Sequence, residues 1–207
     1  MSRVLALILT CLLLLPSAIS VEAASKSYTS IQPMQLSGQT FCTAFSINER
    51  DGLWATAKHC AEAVDMFAVT GRGRATLGGE YMEVVRVSEH WDIAVLYSHR
   101  RAKAFEISES ALEVGDEVDV IGFPYGLSGS NGPSVTRGRV AAINVPIEEY
   151  HLSTILDVVV AGGNSGSPVL RAGKVVGILW GGFTESAHSL AVPGWAVADE
   201  LRMTARR

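Results

Sequence analysis

Three short segments of this 207-residue chain contain side chains that can act together in acyl transfer. His59 follows the run Leu53–Lys58 and precedes a cysteine. Asp92 precedes the apolar run Ile93–Leu96, and Ser165 lies in a glycine-rich turn. A serine hydroxyl is a weak nucleophile until an imidazole accepts its proton, and a carboxylate must orient that imidazole. The pattern therefore predicts a nucleophile, Ser165, a general base, His59, and an orienting acid, Asp92.

Two other kinds of site fit these residues less well. A histidine beside Cys60 is a possible zinc ligand, but no second Cys/His pair at metal-ligand spacing is present, so no metal and no cofactor are expected. In an α/β-hydrolase the serine precedes the acid and the histidine, whereas here it comes last and no G-x-S-x-G motif occurs. The residues present and their order therefore argue against both alternatives.

The segments that must position these side chains have the pattern of short β-strands. Apolar runs rich in β-branched residues recur between glycine-containing turns, which is typical of an all-β sandwich or barrel. The predicted strands are Tyr81–Val87, Ile93–Tyr97, Val118–Phe123, Arg139–Asn144, Thr154–Val160, Ser167–Leu170, Lys174–Trp180 and Ser189–Val192. We therefore expect each candidate residue to lie in a turn or at a strand end.

The remaining segments divide the chain into two β units. Ala61–Met66 is predicted to form a short helical turn, and Gly194–Arg207 a C-terminal helix with its apolar residues on one side. Ser98–Ser110 is more polar and is predicted to link the two units. Phe123–Ser134 is rich in Gly, Ser, Asn and Pro and is predicted to be a flexible loop, a candidate for control of the site by an order–disorder change.

The three motifs resemble those of the chymotrypsin/trypsin-like serine peptidase superfamily. "TAKHC" resembles its T-A-A-H-C, "WDIAVL" its D-[IL]-A-[VL]-L, and "GNSGSP" its G-[DN]-S-G-[GS]-P, in the same order. "GNSG" and "SLAVP" are most similar to the simpler bacterial and Htr-type branch, here without PDZ domains. The resemblance implies two six-stranded antiparallel β-barrels with a short C-terminal helix and the site between the barrels.

The same resemblance implies roles for individual residues. Ser165 would be the nucleophile of an acyl-enzyme mechanism, and the backbone N–H groups of Gly163 and Ser165 would form the oxyanion hole. A disulfide between Cys42 and Cys60 would lie beside His59. Asn164 stands where many members have the Asp that pairs with a new N-terminus, so activation by that route is not expected.

The family's specificity pocket corresponds to small and apolar residues in this chain. Its base lies six residues before the nucleophile, at Val159, which has no charge to select Arg or Lys. We therefore expect a small or medium apolar residue at the cleaved position (P1), and Asp157 would enter the pocket only if the turn were offset by two residues. The predicted substrate-binding residues are Val159, Val160, Gly162, Leu179, Trp180, Gly181 and Ser189.

The N-terminal residues have the pattern of a secretory signal peptide. Arg3 precedes an apolar stretch, Val4–Leu15, that is shorter than the roughly 20 residues needed to cross a bilayer. Val21-Glu22-Ala23 is the expected cleavage site and Ala18-Ile19-Ser20 the competing one, with an uncleaved anchor as the alternative. Cleavage removes Cys11, and the two remaining cysteines of an exported protein are expected to pair.

These observations give a domain plan. Residues 1–23 are the predicted signal peptide, 24–37 a flexible lead-in or short propeptide, and 38–207 the peptidase domain, with barrel 1 at about 38–105 and barrel 2 at about 106–207. The protein is expected to be secreted or periplasmic, and free of the membrane once the signal peptide is removed.

Composition limits the partners. The chain has 17 basic and 21 acidic residues, a net charge of −4, and no long basic run, which argues against nucleic acid as a partner. A protein or peptide substrate is expected instead. The alternatives to an endopeptidase are a catalytically silent trypsin-like binding module and an esterase-like or autocatalytic hydrolase.

Overall fold

The computed structural model describes residues 29–124, 132–147, 150–183 and 186–204. The first six strands form a closed antiparallel barrel, barrel 1, in the order β1-β2-β3-β6-β5-β4. Helix α1 (Lys58–Val69) connects β3 to β4. The strands of barrel 1 are β1 (Ile31–Leu36), β2 (Gln39–Asn48), β3 (Leu53–Thr56), β4 (Thr76–Leu77), β5 (Glu80–Val87) and β6 (Ala94–Ser98).

The next six strands form a second closed antiparallel barrel, barrel 2, and helix α2 (Gly194–Thr204) follows it. Its neighbours run β7-β8-β9-β12-β11-β10, the same connectivity as in barrel 1, although the sequence shows no internal repeat. This confirms the predicted fold of two six-stranded barrels with a C-terminal helix. The strands are β7 (Glu117–Gly122), β8 (Ser134–Ile147), β9 (Tyr150–Asp157), β10 (Pro168–Arg171), β11 (Lys174–Gly182) and β12 (His188–Pro193).

Each barrel has its own apolar core, and a third cluster holds the barrels together. Trp54 and Leu96 are fully buried in barrel 1, and Leu156 and Leu179 are buried in barrel 2. The third cluster lies between the barrels and includes residues of β2, β7, β11, β12 and α2, namely Phe45, Ile121, Ile178, Val192, Ala196 and Val197. Because side chains alternate across a strand, β2 contributes one face, with Cys42 and Ala44, to the core of barrel 1 and the other, with Phe45 and Ile47, to this contact.

Several elements differ from the sequence prediction: β2, β3 and β4 are not among the predicted strands, and β8 begins at Ser134 rather than at Arg139. Strand β1 lies inside residues 24–37, which were expected to be a lead-in, and it pairs with both β2 and β4 to close barrel 1. Its sequence, IQPMQL, has a proline and few β-branched residues, so the strand depends on tertiary pairing rather than on local propensity.

Helix α1 is also longer than the predicted turn at Ala61–Met66. It ends where Gly71 adopts a φ of +70° and donates its N–H to Ala68, while Arg72 donates to Phe67. This is a Schellman arrangement, in which a left-handed glycine satisfies the last helical carbonyls. The polar segment between β6 and β7 links the barrels, with one isolated bridge from Ile107 to Val175. Most of the predicted loop Phe123–Ser134 falls outside the described residues.

Candidate active site

His59 lies in the first turn of α1, directly after β3, and is held by Asp92. The Asp92 Oδ1 atom accepts the His59 backbone N–H at 3.0 Å, and Oδ2 lies 2.8 Å from His59 Nδ1. Asp92 is fully buried, whereas the His59 side chain is 40% exposed. A carboxylate at Nδ1 favours the tautomer that carries its proton there, which leaves Nε2 available to accept a proton.

The turn before Asp92 is built around Ser88. The Ser88 hydroxyl oxygen accepts the backbone N–H groups of His90 and Trp91 and donates to Glu200 Oε2 at 2.8 Å. Glu200 lies on α2, is almost fully buried, and also forms an ion pair with Arg86 at 2.8 Å. The C-terminal helix therefore supports the segment that carries the candidate acid.

Ser165 lies in the second of two consecutive tight turns. Asn164 N–H donates to the Ala161 carbonyl at 3.1 Å, and Ser167 N–H donates to the Asn164 carbonyl at 2.9 Å. The third residue of each turn is a glycine with positive φ, Gly163 at +94° and Gly166 at +84°. Type II turns require positive φ at this position, which explains the glycines on either side of Asn164 and Ser165.

Barrel 1 holds this loop against His59. The Ser165 carbonyl accepts the Thr43 N–H at 2.8 Å. It also lies 3.8 Å from the Sγ atom of Cys60, the residue that follows His59. The structure thus brings His59, Asp92 and Ser165 to one place between the barrels. Among the described residues no hydrogen bond joins Ser165 Oγ to His59. In free enzymes such bonds are often long and shorten when substrate binds.

Two backbone N–H groups beside Ser165 have no protein acceptor. Within the described ranges, the N–H groups of Gly163 and Ser165 donate to no carbonyl or side chain, whereas those of Asn164, Gly166 and Ser167 all do. Unpaired N–H groups next to a nucleophile can bind an oxyanion. They are the two groups that the sequence predicts for this role.

Cys42 and Cys60 form a disulfide that links β2 to α1. Potential ligand atoms of Cys42, His59 and Cys60 all lie within 4.8 Å of one another. Because each sulfur is bonded to the other, neither is available as the thiolate that zinc binds. The cluster thus supports the position of His59 rather than a metal centre.

A cavity of about 310 Å³ opens beside Ser165. Five of the seven predicted substrate-binding residues line it: Val159, Val160, Gly162, Leu179 and Gly181. Trp180 is not in the lining; its indole N–H donates to Ser153 Oγ at 3.3 Å. Ser189 is not in the lining either, because its side chain is fully buried in β12. Asp157, the alternative pocket residue, is exposed on β9 and does not line the cavity.

The cavity also has lining residues that the sequence prediction did not include, namely Ala161, Gly182, Phe183, Ser186, Ala187 and His188. Phe183, Ser186 and Ala187 lie on the turn between β11 and β12, and His188 is the first residue of β12. No local motif marks them, and only the pairing of the two strands brings them beside Ser165.

Within the ranges that the structure covers, no helix is both long and apolar enough to cross a membrane.

The chain is similar to known proteases. A family model described as "Trypsin-like peptidase domain" matches residues 42–178. A protein of Plasmodium falciparum (isolate 3D7), described as a serine protease DegP homolog, is 34% identical over 135 residues. That match covers 59% of this chain and 15% of the relative, so the chain spans a small part of that protein's length.

Solved structures share the fold at low sequence identity. The HtrA-type protease AlgW with a decapeptide has a TM-score of 0.70 at 18% identity and covers 89% of this chain and 67% of its own. Deg5 has a TM-score of 0.67 at 21% identity, and the match covers 86% of this chain and 90% of Deg5. An inactive form of the protease Rv3671c, from M. tuberculosis H37Rv, has a TM-score of 0.65 at 18% identity, and the match covers 87% of this chain and 91% of that structure.

These similarities confirm the predicted resemblance to trypsin-like serine peptidases of the Htr-type branch. The family model matches well over half of the chain, across both barrels and the segments that contain His59, Asp92 and Ser165. The chain therefore belongs to the trypsin-like peptidase domain family.

Proposed function

We propose that this protein is an exported serine endopeptidase with His59, Asp92 and Ser165 as its catalytic triad. The observation that carries the proposal is the hydrogen-bonded His59–Asp92 pair beside the Ser165 loop. The two N–H groups without acceptors, those of Gly163 and Ser165, add support because they lie on the same loop. A buried carboxylate, an accessible imidazole and a serine in a glycine-rich turn are the parts that acyl transfer needs.

The reaction proceeds in two halves. Ser165 Oγ attacks the carbonyl carbon of the peptide bond while its proton passes to His59 Nε2, and the carbonyl oxygen becomes an oxyanion held by the Gly163 and Ser165 N–H groups. The C–N bond then breaks, and the leaving amine takes the proton from His59. In the second half a water gives a proton to His59 and its oxygen to the acyl carbon, and Ser165 departs with that proton.

The substrate is proposed to carry a small or medium apolar residue at P1. The cavity beside Ser165 is lined by Val160, Leu179 and Gly181, with Val159 at its edge, 69% exposed. None of its described lining residues is a carboxylate that could select Arg or Lys. Apolar side chains gain free energy by leaving water for such a surface.

Export is proposed on the N-terminal pattern of residues 1–23, which lie outside the described part of the structure. A disulfide between Cys42 and Cys60 is consistent with an oxidising compartment, where such bonds persist. The same compartment would contain the protein or peptide substrate.

The test is covalent labelling with a fluorophosphonate probe. The processed protein should react, and Ser165→Ala should lose labelling because it removes the hydroxyl beside the His59–Asp92 pair. Ser167→Ala is the matched control: it removes a buried hydroxyl without a partner two residues away on the same loop and should label normally.

The outcomes separate the alternatives. A folded, processed protein that does not react would be a binding module, and the enzyme proposal would be wrong. A protein that labels at Ser165 and cleaves a small ester but not casein would be an esterase-like or autocatalytic hydrolase. Casein cleavage that is lost in Ser165→Ala and kept in Ser167→Ala supports the endopeptidase.

A further inference from the structure

Thr43 joins strand β2 of barrel 1 to the loop that carries Ser165. It is fully buried, and its backbone N–H donates to the Ser165 carbonyl at 2.8 Å. Its carbonyl accepts the hydroxyl of Thr56 at 2.7 Å, so its main chain is held on both sides. Thr43 is 120 residues from the loop in sequence, and no motif in β2 marks it as part of a site.

The Thr43 hydroxyl forms two hydrogen bonds, one as an acceptor and one as a donor. Its oxygen accepts the Phe123 N–H at 3.0 Å, and its hydrogen is donated to the Gly163 carbonyl at 2.8 Å. The N–H of Phe123 can only donate, and the carbonyl of Gly163 can only accept, so the direction of the hydroxyl is determined. One side chain thus connects β2, the end of β7 and the Ser165 loop.

These bonds hold the peptide group between Gly163 and Asn164 at both ends. Its carbonyl binds Thr43, and its N–H binds the Ala161 carbonyl at 3.1 Å. Because a peptide group is planar, this determines the direction of the Gly163 carbonyl. The Gly163 N–H belongs to the preceding peptide group, and the backbone angles of Gly163, whose φ is +94°, relate its direction to that carbonyl. That N–H is one of the two without an acceptor, and Ser165, which bears the other, is bonded to Thr43 through its carbonyl.

The space around Gly163 explains why such a constraint matters. A Cβ atom built on Gly163 would lie 2.3 Å from the Phe123 carbonyl oxygen, so the loop packs directly on the end of β7. Glycine has more backbone conformations available than any other residue, so a hydrogen bond that holds its carbonyl in one direction reduces the conformations open to Gly163.

We propose that Thr43 is a positioning residue of the oxyanion hole: its hydroxyl holds the Gly163 carbonyl so that the Gly163 N–H points to the developing oxyanion. Thr43 itself does not touch the reacting atoms. The inference rests on the proposed peptidase function, since an oxyanion hole has meaning only for acyl transfer.

The test compares Thr43→Val with Thr43→Ser in the processed protein. Valine keeps the branched shape and strand preference but leaves the Gly163 carbonyl and Phe123 N–H unpaired, so the loop can rotate to another arrangement. Because misplacement of a catalytic group by about 1 Å can cost 10²-fold, we expect kcat for an ester substrate to fall about 10²-fold. KM should change less than about 3-fold, because ground-state binding is not altered.

Serine should restore the activity, because it retains a hydroxyl in the same position. The matched control is Ser46→Ala, which removes another buried hydroxyl of β2, bonded to the Ala102 carbonyl at 2.8 Å and without contact to the loop. Ser46→Ala should lower the melting temperature without lowering kcat. The pH dependence of Thr43→Val should match that of the unaltered protein, because His59 and Asp92 are not changed.

Several results would overturn the inference. One is a folded Thr43→Val whose kcat equals that of Ser46→Ala; another is a Thr43→Ser that is as slow as Thr43→Val. If Thr43→Val does not fold, Thr43→Ala replaces it, and failure of both to fold would show that the hydroxyl serves folding rather than positioning. Failure of the proposed function looks different, because the unaltered protein would then not react with the fluorophosphonate probe.

Discussion

Both carboxylate oxygens of Asp92 bind the same residue, one at the His59 backbone N–H and one at the ring. This pairing fixes the position of the imidazole as well as its tautomer, because the ring cannot turn without losing a charge-assisted hydrogen bond. The acid is fully buried and the imidazole is 40% exposed, so the free face of the ring remains open to a substrate. Asp92 therefore orients the imidazole from inside the protein, and the exposed part of His59 is the part that can contact a substrate.

The proposed P1 preference can be tested at one glycine of the pocket. Gly181 lines the cavity, has no positive φ, and a Cβ there would meet only Leu190 Cδ1, at an ordinary 3.7 Å. Gly181→Val should therefore be tolerated and should reduce the cavity. Since one methylene in an apolar pocket changes kcat/KM about 10- to 200-fold, cleavage after Leu should fall by at least about 10-fold.

The measurement is a peptide library that varies P1 in both proteins. Cleavage after Ala should remain within about 3-fold of the unaltered protein, which serves as the internal control for folding and catalysis. Dominant cleavage after Arg or Lys by the unaltered protein would contradict the apolar preference.

At the scale of elements, helix α2 holds the two barrels together and supports the turn before Asp92. Its apolar side packs in the inter-barrel cluster through Ala196 and Val197. Its buried Glu200 binds Ser88, whose hydroxyl organises that turn, and pairs with Arg86 on β5. A helix at the end of the chain thus contributes to a site formed by residues far from it in sequence.

The contribution of α2 is testable by Glu200→Ala. Removing one partner of a buried ion pair typically costs 3–5 kcal/mol, and the free energy of unfolding should fall by about 3 kcal/mol because Arg86 keeps some contact with solvent. Urea unfolding measures this. Arg202→Ala is the control on the same helix: its pairs with Glu109 and Asp199 are exposed, and its loss should leave stability nearly unchanged. Equal losses in the two variants would refute the role of Glu200.

At the scale of the whole molecule, the site exists because two barrels of identical connectivity meet along one apolar contact. Barrel 1 provides His59, Asp92 and Thr43, and barrel 2 provides Ser165 and the cavity. The Cys42–Cys60 disulfide is within barrel 1, at the edge that touches the Ser165 loop. Its stabilising effect should therefore extend to the contact between the barrels.

The disulfide and the proposed export give one combined prediction. The exported protein should begin after Ala23 by N-terminal sequencing, and its non-reduced mass should be two hydrogens below that of the reduced chain. Joint replacement of Cys42 and Cys60 by serine should lower the free energy of unfolding by about 3 kcal/mol, as expected for a loop of 18 residues.

Cys11→Ser is the matched control for the loss of a cysteine. Cys11 lies in the proposed signal peptide, so the mature protein from this variant should be identical to that from the unaltered chain. A free thiol at Cys42 or Cys60 in the exported protein, or a stable double variant, would contradict the prediction.

The sequence alone predicts the residues that local patterns mark. The glycines beside Ser165 are required by turns of a few residues. The short apolar runs of β7, β11 and β12 are typical of strands that are buried on both faces. The two-barrel fold follows from the resemblance that the motifs carry. All of these signals are contained within short stretches of chain, so no distant contact is needed to find them.

Tertiary structure alone decides the features that depend on distant partners. Strand β1 exists because β2 and β4 pair with it, although its own sequence has weak β propensity. Thr43 and Gly163 are 120 residues apart, and Ser88 and Glu200 are 112 apart, so no local pattern distinguishes these side chains from ordinary polar residues. A buried hydroxyl or carboxylate has its role only through the partner that the fold brings to it, and closure of the two barrels determines that partner.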